Sequence, residues 1–167
     1  MDRLYAPWRQ QYVMAHLKQK QVQECVFCTV FDGKESDADR YILYKNNETA
    51  VLLNLYPYNS GHLLIISKYH VENLYDLPEN ITQQIMKACM ISTKIIQEQL
   101  MCEGMNVGLN IGRVAGAGIP DHVHMHIVPR FLGDTGFLTT IGDSKQISIN
   151  LDTMYQKLRP YFENIKL

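Results

Sequence analysis

Apolar and polar residues alternate through Asp121-His122-Val123-His124-Met125-His126-Ile127-Val128-Pro129-Arg130. Period-two alternation predicts a β-strand with one apolar face. His122, His124 and His126 would share the other face, each ~7 Å from the next. Upstream, three short apolar runs predict strands at Tyr41–Tyr44, Thr49–Leu55 and His62–Ser67. Lys45-Asn46-Asn47-Glu48 reads as a hairpin turn between the first two, and Tyr56-Pro57-Tyr58-Asn59-Ser60-Gly61 as a turn between the second and third. Such short connections predict antiparallel neighbours.

After Pro78 the period changes. Ile81, Ile85, Cys89, Ile96 and Leu100 recur at helical spacing, which predicts a helix over Glu79–Cys102 with Gly104 as its stop. Met105–Ile111 then reads as a strand, Gly112–Gly118 as a loop of small residues, and Gly133–Gly136 as another loop. A C-terminal helix is expected over Leu151–Leu158, ending near Pro160. Nearer the N-terminus, Asp32–Arg40 is a polar loop. Leu4–Tyr12 gathers aromatic residues and the only tryptophan, Trp8. They predict an arm that docks on the body or on a second subunit. A short helix through Lys18 follows, with His16 on the surface. No repeat or linker divides the chain, so residues 1–167 read as one domain with an N-terminal arm and a C-terminal helix.

Composition narrows the function classes. A hydrophobic fraction of 46% suits a globular core, and a net charge of -1 gives no global case for nucleic-acid binding. The start Met1-Asp2-Arg3 lacks the apolar core of a signal peptide, and runs such as Leu63–Ile66 are too short to span a bilayer. No membrane association is expected. The four cysteines fall as Cys25-x-x-Cys28 plus Cys89 and Cys102 near a helix. Reduced thiols in a cytoplasmic protein are the expectation.

The candidate chemistry is concentrated. Half of the six histidines lie within five residues. A solvated strand face is usually built from Thr, Lys and Glu instead. Imidazole can be a nucleophile, a proton carrier or a metal ligand. Two readings therefore stand: all three histidines bind one metal, or at least one attacks a substrate. Gly112-Arg113-Val114-Ala115-Gly116-Ala117-Gly118 is not a Walker loop, because no Gly-Lys-Ser/Thr follows. Its small residues let backbone N–H groups approach an anion; a plain flexible turn is the alternative. Cys25-x-x-Cys28 is either a redox dithiol or half of a zinc site.

The motif His-x-His-x-His with apolar x resembles the histidine triad (HIT) superfamily of nucleotide hydrolases and transferases. Asn54–His62 and Ser67-Lys68-Tyr69-His70-Val71 resemble its two upstream site segments. Leu4–Arg9, Asn106–Arg113, Ala115–Gly118 and Pro129-Arg130-Phe131 before Gly133-Asp134-Thr135 resemble the bacterial branch that includes diadenosine tetraphosphate phosphorylases. The resemblance implies an α+β fold: an antiparallel sheet of about five strands flanked by helices, usually as a homodimer. The strand and helix order read from the sequence is compatible with that fold but would not alone select it.

The resemblance also implies roles. His124 is the nucleophile, His126 its phosphate partner and His62 a further active-site histidine. Asn54 meets the ribose; Asn110, Gly116, Ala117 and Gly118 complete the nucleotide site. Cys25, Cys28, His70 and His122 form a Cys₂His₂ set suited to a structural zinc with no open position. No organic cofactor is implied. The expected ligands are purine nucleotides or dinucleoside polyphosphates, cleaved at the α-phosphate, most simply by phosphorolysis. Hydrolysis, including phosphoramidase activity, is the enzyme alternative. A nucleotide-binding regulator with incidental turnover, or a metallohydrolase using all three histidines, would be a different class. The metallohydrolase leaves Cys25 and Cys28 unexplained.

Two departures carry information. Gly118 and Ile119 stand where many relatives place a side-chain hydroxyl or amide beside the leaving group. Phe131, with Gly136 nearby, stands where the close branch more often carries Trp and Asn, which bears on base or ribose preference.

Overall fold

A computed structural model describes residues 24–142 and 144–167. The expected arm over Leu4–Tyr12, the helix through Lys18 and His16 lie outside the described residues. Five strands form one antiparallel sheet: β1 (Ile42–Lys45), β2 (Thr49–Leu53), β3 (Leu63–Ser67), β4 (Gly104–Leu109) and β5 (His124–Arg130). The spatial order is β1-β2-β3-β5-β4. β2 and β3 are buried along their whole length, which is why they read as unbroken apolar runs. The α+β fold is the one the family resemblance implied.

The pleat sorts the side chains between two layers. Leu43, Val51, Leu53, Leu63, Ile65, Met125 and Ile127 face one core. Helices α1 (Glu79–Leu100) and α3 (Leu151–Phe162) cover that face. Ile42, Ala50, Leu52, Leu64 and Ile66 face the other way, where Phe27 and Val30 pack on them. Register places Ile66 opposite His124 and Leu64 opposite His126, so the histidines emerge on this second face. Each fully buried Leu, Ile or Val contributes ~1.5–3 kcal/mol.

Several boundaries differ from the sequence reading, each for a physical reason. α1 ends at Leu100, because Met101 takes a left-handed conformation (φ 52°) and its N–H caps Gln97 O; Gly104 instead opens β4. β2 stops at Leu53, and Leu55 is exposed. α3 runs through Pro160 to Phe162. Met154, Leu158 and Phe162 are four apart and buried, and together they outweigh the ~3 kcal/mol that an interior proline costs. A further short helix, α2 (Phe137–Thr140), follows β5. No helix among the described residues is long and apolar enough to cross a membrane.

Candidate active site

β5 starts at His124, so His122 is not part of the strand. This corrects the expectation of three histidines in one ladder. Beyond Pro120 the chain turns. His122 N–H donates to Ile119 O at 3.4 Å, and Val123 N–H donates to Val71 O at 2.7 Å. His124 and His126 remain neighbours, with ring centroids 4.8 Å apart. His122 turns instead towards Cys25 and Cys28.

Backbone groups fix the tautomers of His62, His122 and His124, because an amide can only donate and a carbonyl can only accept, and His62 in turn fixes His126. Gly61 (φ +80°) lets the turn after β2 fold tightly, and a Cβ there would collide with Leu100 Cδ1. That turn presents Tyr58 N–H to His62 Nδ1 at 3.0 Å. His62 Nδ1 must accept, so its proton sits on Nε2 and is donated to His126 Nδ1 at 2.9 Å. His126 therefore carries its own proton on Nε2, a buried donor with no partner among the described residues. His124 Nδ1 donates to His122 O at 2.8 Å, which leaves a lone pair on His124 Nε2. His122 Nε2 donates to Ser67 O at 2.9 Å, which leaves its lone pair on Nδ1, towards the thiols.

The turn is anchored at its far end. Asn59 Nδ2 donates to Pro129 O at 2.9 Å and to Asp134 Oδ2 at 2.8 Å. Arg130 grips Asp134 with Nε and Nη2, at 2.7 and 2.9 Å. That guanidinium holds the Asp134 carboxyl well below the usual carboxylate range. The sequence reading missed Tyr58, Asn59 and Asp134. Only the offset of Asp134 four residues after Arg130 gave a signal.

Burial dominates the electrostatics. It pushes His62 down to about 3 and His126 down to about 4, with the neighbouring imidazoles adding to both. It lowers His124 as well. All three rings are neutral at pH 7. Folded values below the unfolded ~6.5 mean that the unfolded chain binds more protons under mild acid. Stability from His62 and His126 is thus present above pH ~6.5 and is lost as pH falls towards their folded values. We expect the urea midpoint to drop between pH 7 and about 4.5, before most carboxylates titrate. Exchanging His62 for Gln should shrink that drop; an identical drop in the variant would refute the assignment.

Phe27 packs on His124 with centroids 4.9 Å apart, and Tyr58 stacks on His126 at 5.8 Å and 12°. Asn54 closes the end of β2, its Oδ1 accepting from Tyr56 N–H and its Nδ2 reaching His62 Nδ1 at 3.3 Å. In the glycine loop, Gly112 (φ +80°) and Gly116 (φ +93°) enclose a tight turn over Arg113–Ala115. Gly116 N–H is spent on Arg113 O and Ala117 N–H on Gly112 O. Among the described residues, Gly118 N–H has no such partner. The expected anion cradle over Gly116–Gly118 is thereby narrowed to one amide. Asn110 Nδ2 lies 4.0 Å from where a Cβ on Gly116 would stand, placing both beside the loop.

Cys25, Cys28, His70 and His122 converge, their ligand atoms all within 4.8 Å of one another. Cys25 Sγ lies 3.5 Å from His122 Nδ1, and Cys28 Sγ lies 3.4 Å from His70 Nδ1 and 3.7 Å from His122 Nδ1. A tetrahedral ion bound to one sulfur and one nitrogen at ordinary lengths separates them by ~3.6 Å. The donor set therefore fits a closed four-ligand metal site. Burial, then the Cys25 thiol, pushes Cys28 up to about 11, so a metal must displace that proton.

A model of the HIT domain matches residues 35–133. An AP-4-A phosphorylase of Mycobacterium tuberculosis is 33% identical over 150 residues, which cover 88% of this chain and 77% of that protein. An adenosine 5'-monophosphoramidase of Candida albicans is 30% identical over 110 residues, covering 64% of this chain and 70% of its own. Among solved structures, a Zn-bound histidine triad family protein from Mycobacterium smegmatis matches with a TM-score of 0.67 at 25% identity, over 83% of this chain and 93% of its own.

Proposed function

The chain belongs to the HIT domain family, and we propose that within it the chain is a nucleotidyl-histidine enzyme that cleaves dinucleoside polyphosphates of the diadenosine tetraphosphate type at the α-phosphate, with inorganic phosphate as second acceptor. One observation carries the reading: a free lone pair on His124 Nε2 sits beside His126 Nε2–H, a buried donor without a partner among the described residues. The first can attack phosphorus while the second receives the charge on a phosphate oxygen.

His124 Nε2 forms a bond to the α-phosphorus, and the P–O bond to the β-phosphate breaks with its electron pair on the departing nucleotide. The ring of the nucleotidyl-histidine is then cationic, and His124 Nδ1–H still points at His122 O, which steadies that charge. His126 Nε2–H and Gly118 N–H hold the α-phosphate oxygens. Asn54 and Asn110 face the nucleotide. A phosphate oxygen then attacks phosphorus, the P–N bond breaks, and His124 is restored as ADP leaves.

Cys25, Cys28, His70 and His122 would hold a zinc ion whose contribution is structural. Zinc in the mycobacterial neighbour and the fit of the donor set support this. A homodimer is expected, and β4 stands at the open edge of the sheet, where a second copy can pair. The free thiols suit a reducing cytoplasm.

The test is product analysis of diadenosine tetraphosphate cleavage with and without phosphate. Formation of ADP and ATP supports the proposal; AMP and ATP would make the protein a hydrolase. The same preparation should also be offered an adenosine phosphoramidate. Gly118 and Ile119 supply no side-chain proton donor, yet an amine leaves badly without an acid, whereas ATP leaves as a stable anion. The tetraphosphate should win in kcat/KM by about a hundredfold, or ~2.7 kcal/mol of barrier. Equal values would return phosphoramidase to the front.

A further inference from the structure

On β5 the face that carries His124 and His126 continues through Val128 to Arg130. Across the ladder, Gly108 stands opposite His126 and Asn106 opposite Val128. Beyond the triad this face opens into a cavity of about 310 Å³, lined by Tyr58, Asn106, Val128, Arg130, Thr139 and Lys145 among others. Tyr58 is the shared wall: its ring stacks on His126 and also borders the cavity. Resting on the proposed function, we propose that this cavity is a subsite for the distal nucleoside end of a dinucleoside polyphosphate, the part that departs when His124 attacks.

Three features carry the assignment. Position comes first. Arg130 lies four residues from His126 along the strand, ~13 Å away, so the cavity begins beside the α-phosphate donor and extends away from it. Charge comes second. Arg130 and Lys145 both pair with the one carboxylate of Asp134, which leaves one positive charge in excess towards a polyphosphate tail. Surface chemistry comes third. Tyr58 is 44% exposed and, with Val128, offers apolar area to a base, while Asn106, Thr135 and Thr139 offer hydrogen-bonding groups to a base or ribose. The volume is at the lower limit for a small-molecule site, ~300 Å³. A neighbouring cavity of about 470 Å³ shares Asn59, Thr139 and Lys145 with it, so a nucleoside has room to extend.

The subsite matters only for substrates with a large leaving group, and the test uses that. Thr139→Trp fills the cavity, and Asn106→Asp, of nearly the same shape, puts a second carboxylate beside Arg130. Each variant is compared with the wild type on diadenosine tetraphosphate and on adenosine 5'-phosphofluoridate, whose leaving group is a single fluoride. The ratio of kcat/KM for the tetraphosphate to that for the fluoridate should fall at least tenfold in both variants, carried mainly by a higher KM for the tetraphosphate. A ratio that falls less than tenfold in either folded variant, or that falls through kcat with KM unmoved, overturns the subsite. Asn106→Asp keeps the comparison decisive should Thr139→Trp misfold. Wild-type enzyme that consumes the fluoridate but not the tetraphosphate would sink the parent reading, a result seen before any variant is made.

Discussion

His124→Ala should lose nearly all turnover of diadenosine tetraphosphate while staying folded and keeping its metal. The expected loss is roughly 10³–10⁶-fold in kcat, the scale seen when a catalytic nucleophile is deleted. The geometry supports a loss this large because neither His62 nor His126 can substitute. His126 Nδ1 is engaged by His62, its Nε2 carries the proton, and His62 Nδ1 accepts from Tyr58. Each neighbouring ring is therefore committed as a donor, and among the described triad-side rings His124 Nε2 is the one left with a lone pair for substrate. Phe27 loses its packing against the ring, so a modest fall in stability accompanies the change. His124→Asn fills more of the space and should be as inactive. Purified His124→Ala with a tenth of the wild-type rate would remove His124 as nucleophile.

Some of this site was legible in the sequence and some was not, and the difference is one of range. Alternation over His124–Arg130 and the apolar runs of β2 and β3 are local signals, and they placed the strands to within a few residues. The departure of His122 from the ladder was not local. It depends on Ser67 O and on thiols 94 and 97 residues away. Spacing alone also left Cys25 and Cys28 without partners; resemblance supplied His70 and His122, and the fold brought the four together. Tyr58 acts through a backbone N–H, which leaves no mark in side-chain chemistry. The glycine loop showed its small residues, but which amides stay free was decided by the dihedrals of Gly112 and Gly116.

Removing the metal should lower both stability and activity, for linked reasons. Zinc analysis of protein purified without added metal is expected to give about one ion per chain, as a four-ligand structural site requires. Cys25→Ser with Cys28→Ser should abolish that content, whereas His124→Ala should keep it. If all three histidines held one catalytic metal, the two results would be reversed. The larger core, on the helix-covered face, contains none of the four ligands, so the stripped protein stays folded, and an ion present at ~100 times its dissociation constant stabilises by ~2.7 kcal/mol. That corresponds to a fall in Tm of about 5–10 °C on chelation. Activity should fall further than that stability loss explains. His122 is both a candidate ligand through Nδ1 and the residue whose carbonyl holds His124 Nδ1–H. Freeing its ring lets the carbonyl move, and His124 loses the hydrogen bond that keeps its lone pair on Nε2. Added zinc should restore the rate to the wild type but not to the double serine variant. Stripped wild-type protein that keeps full turnover would show that the cysteine site does not position the nucleophile.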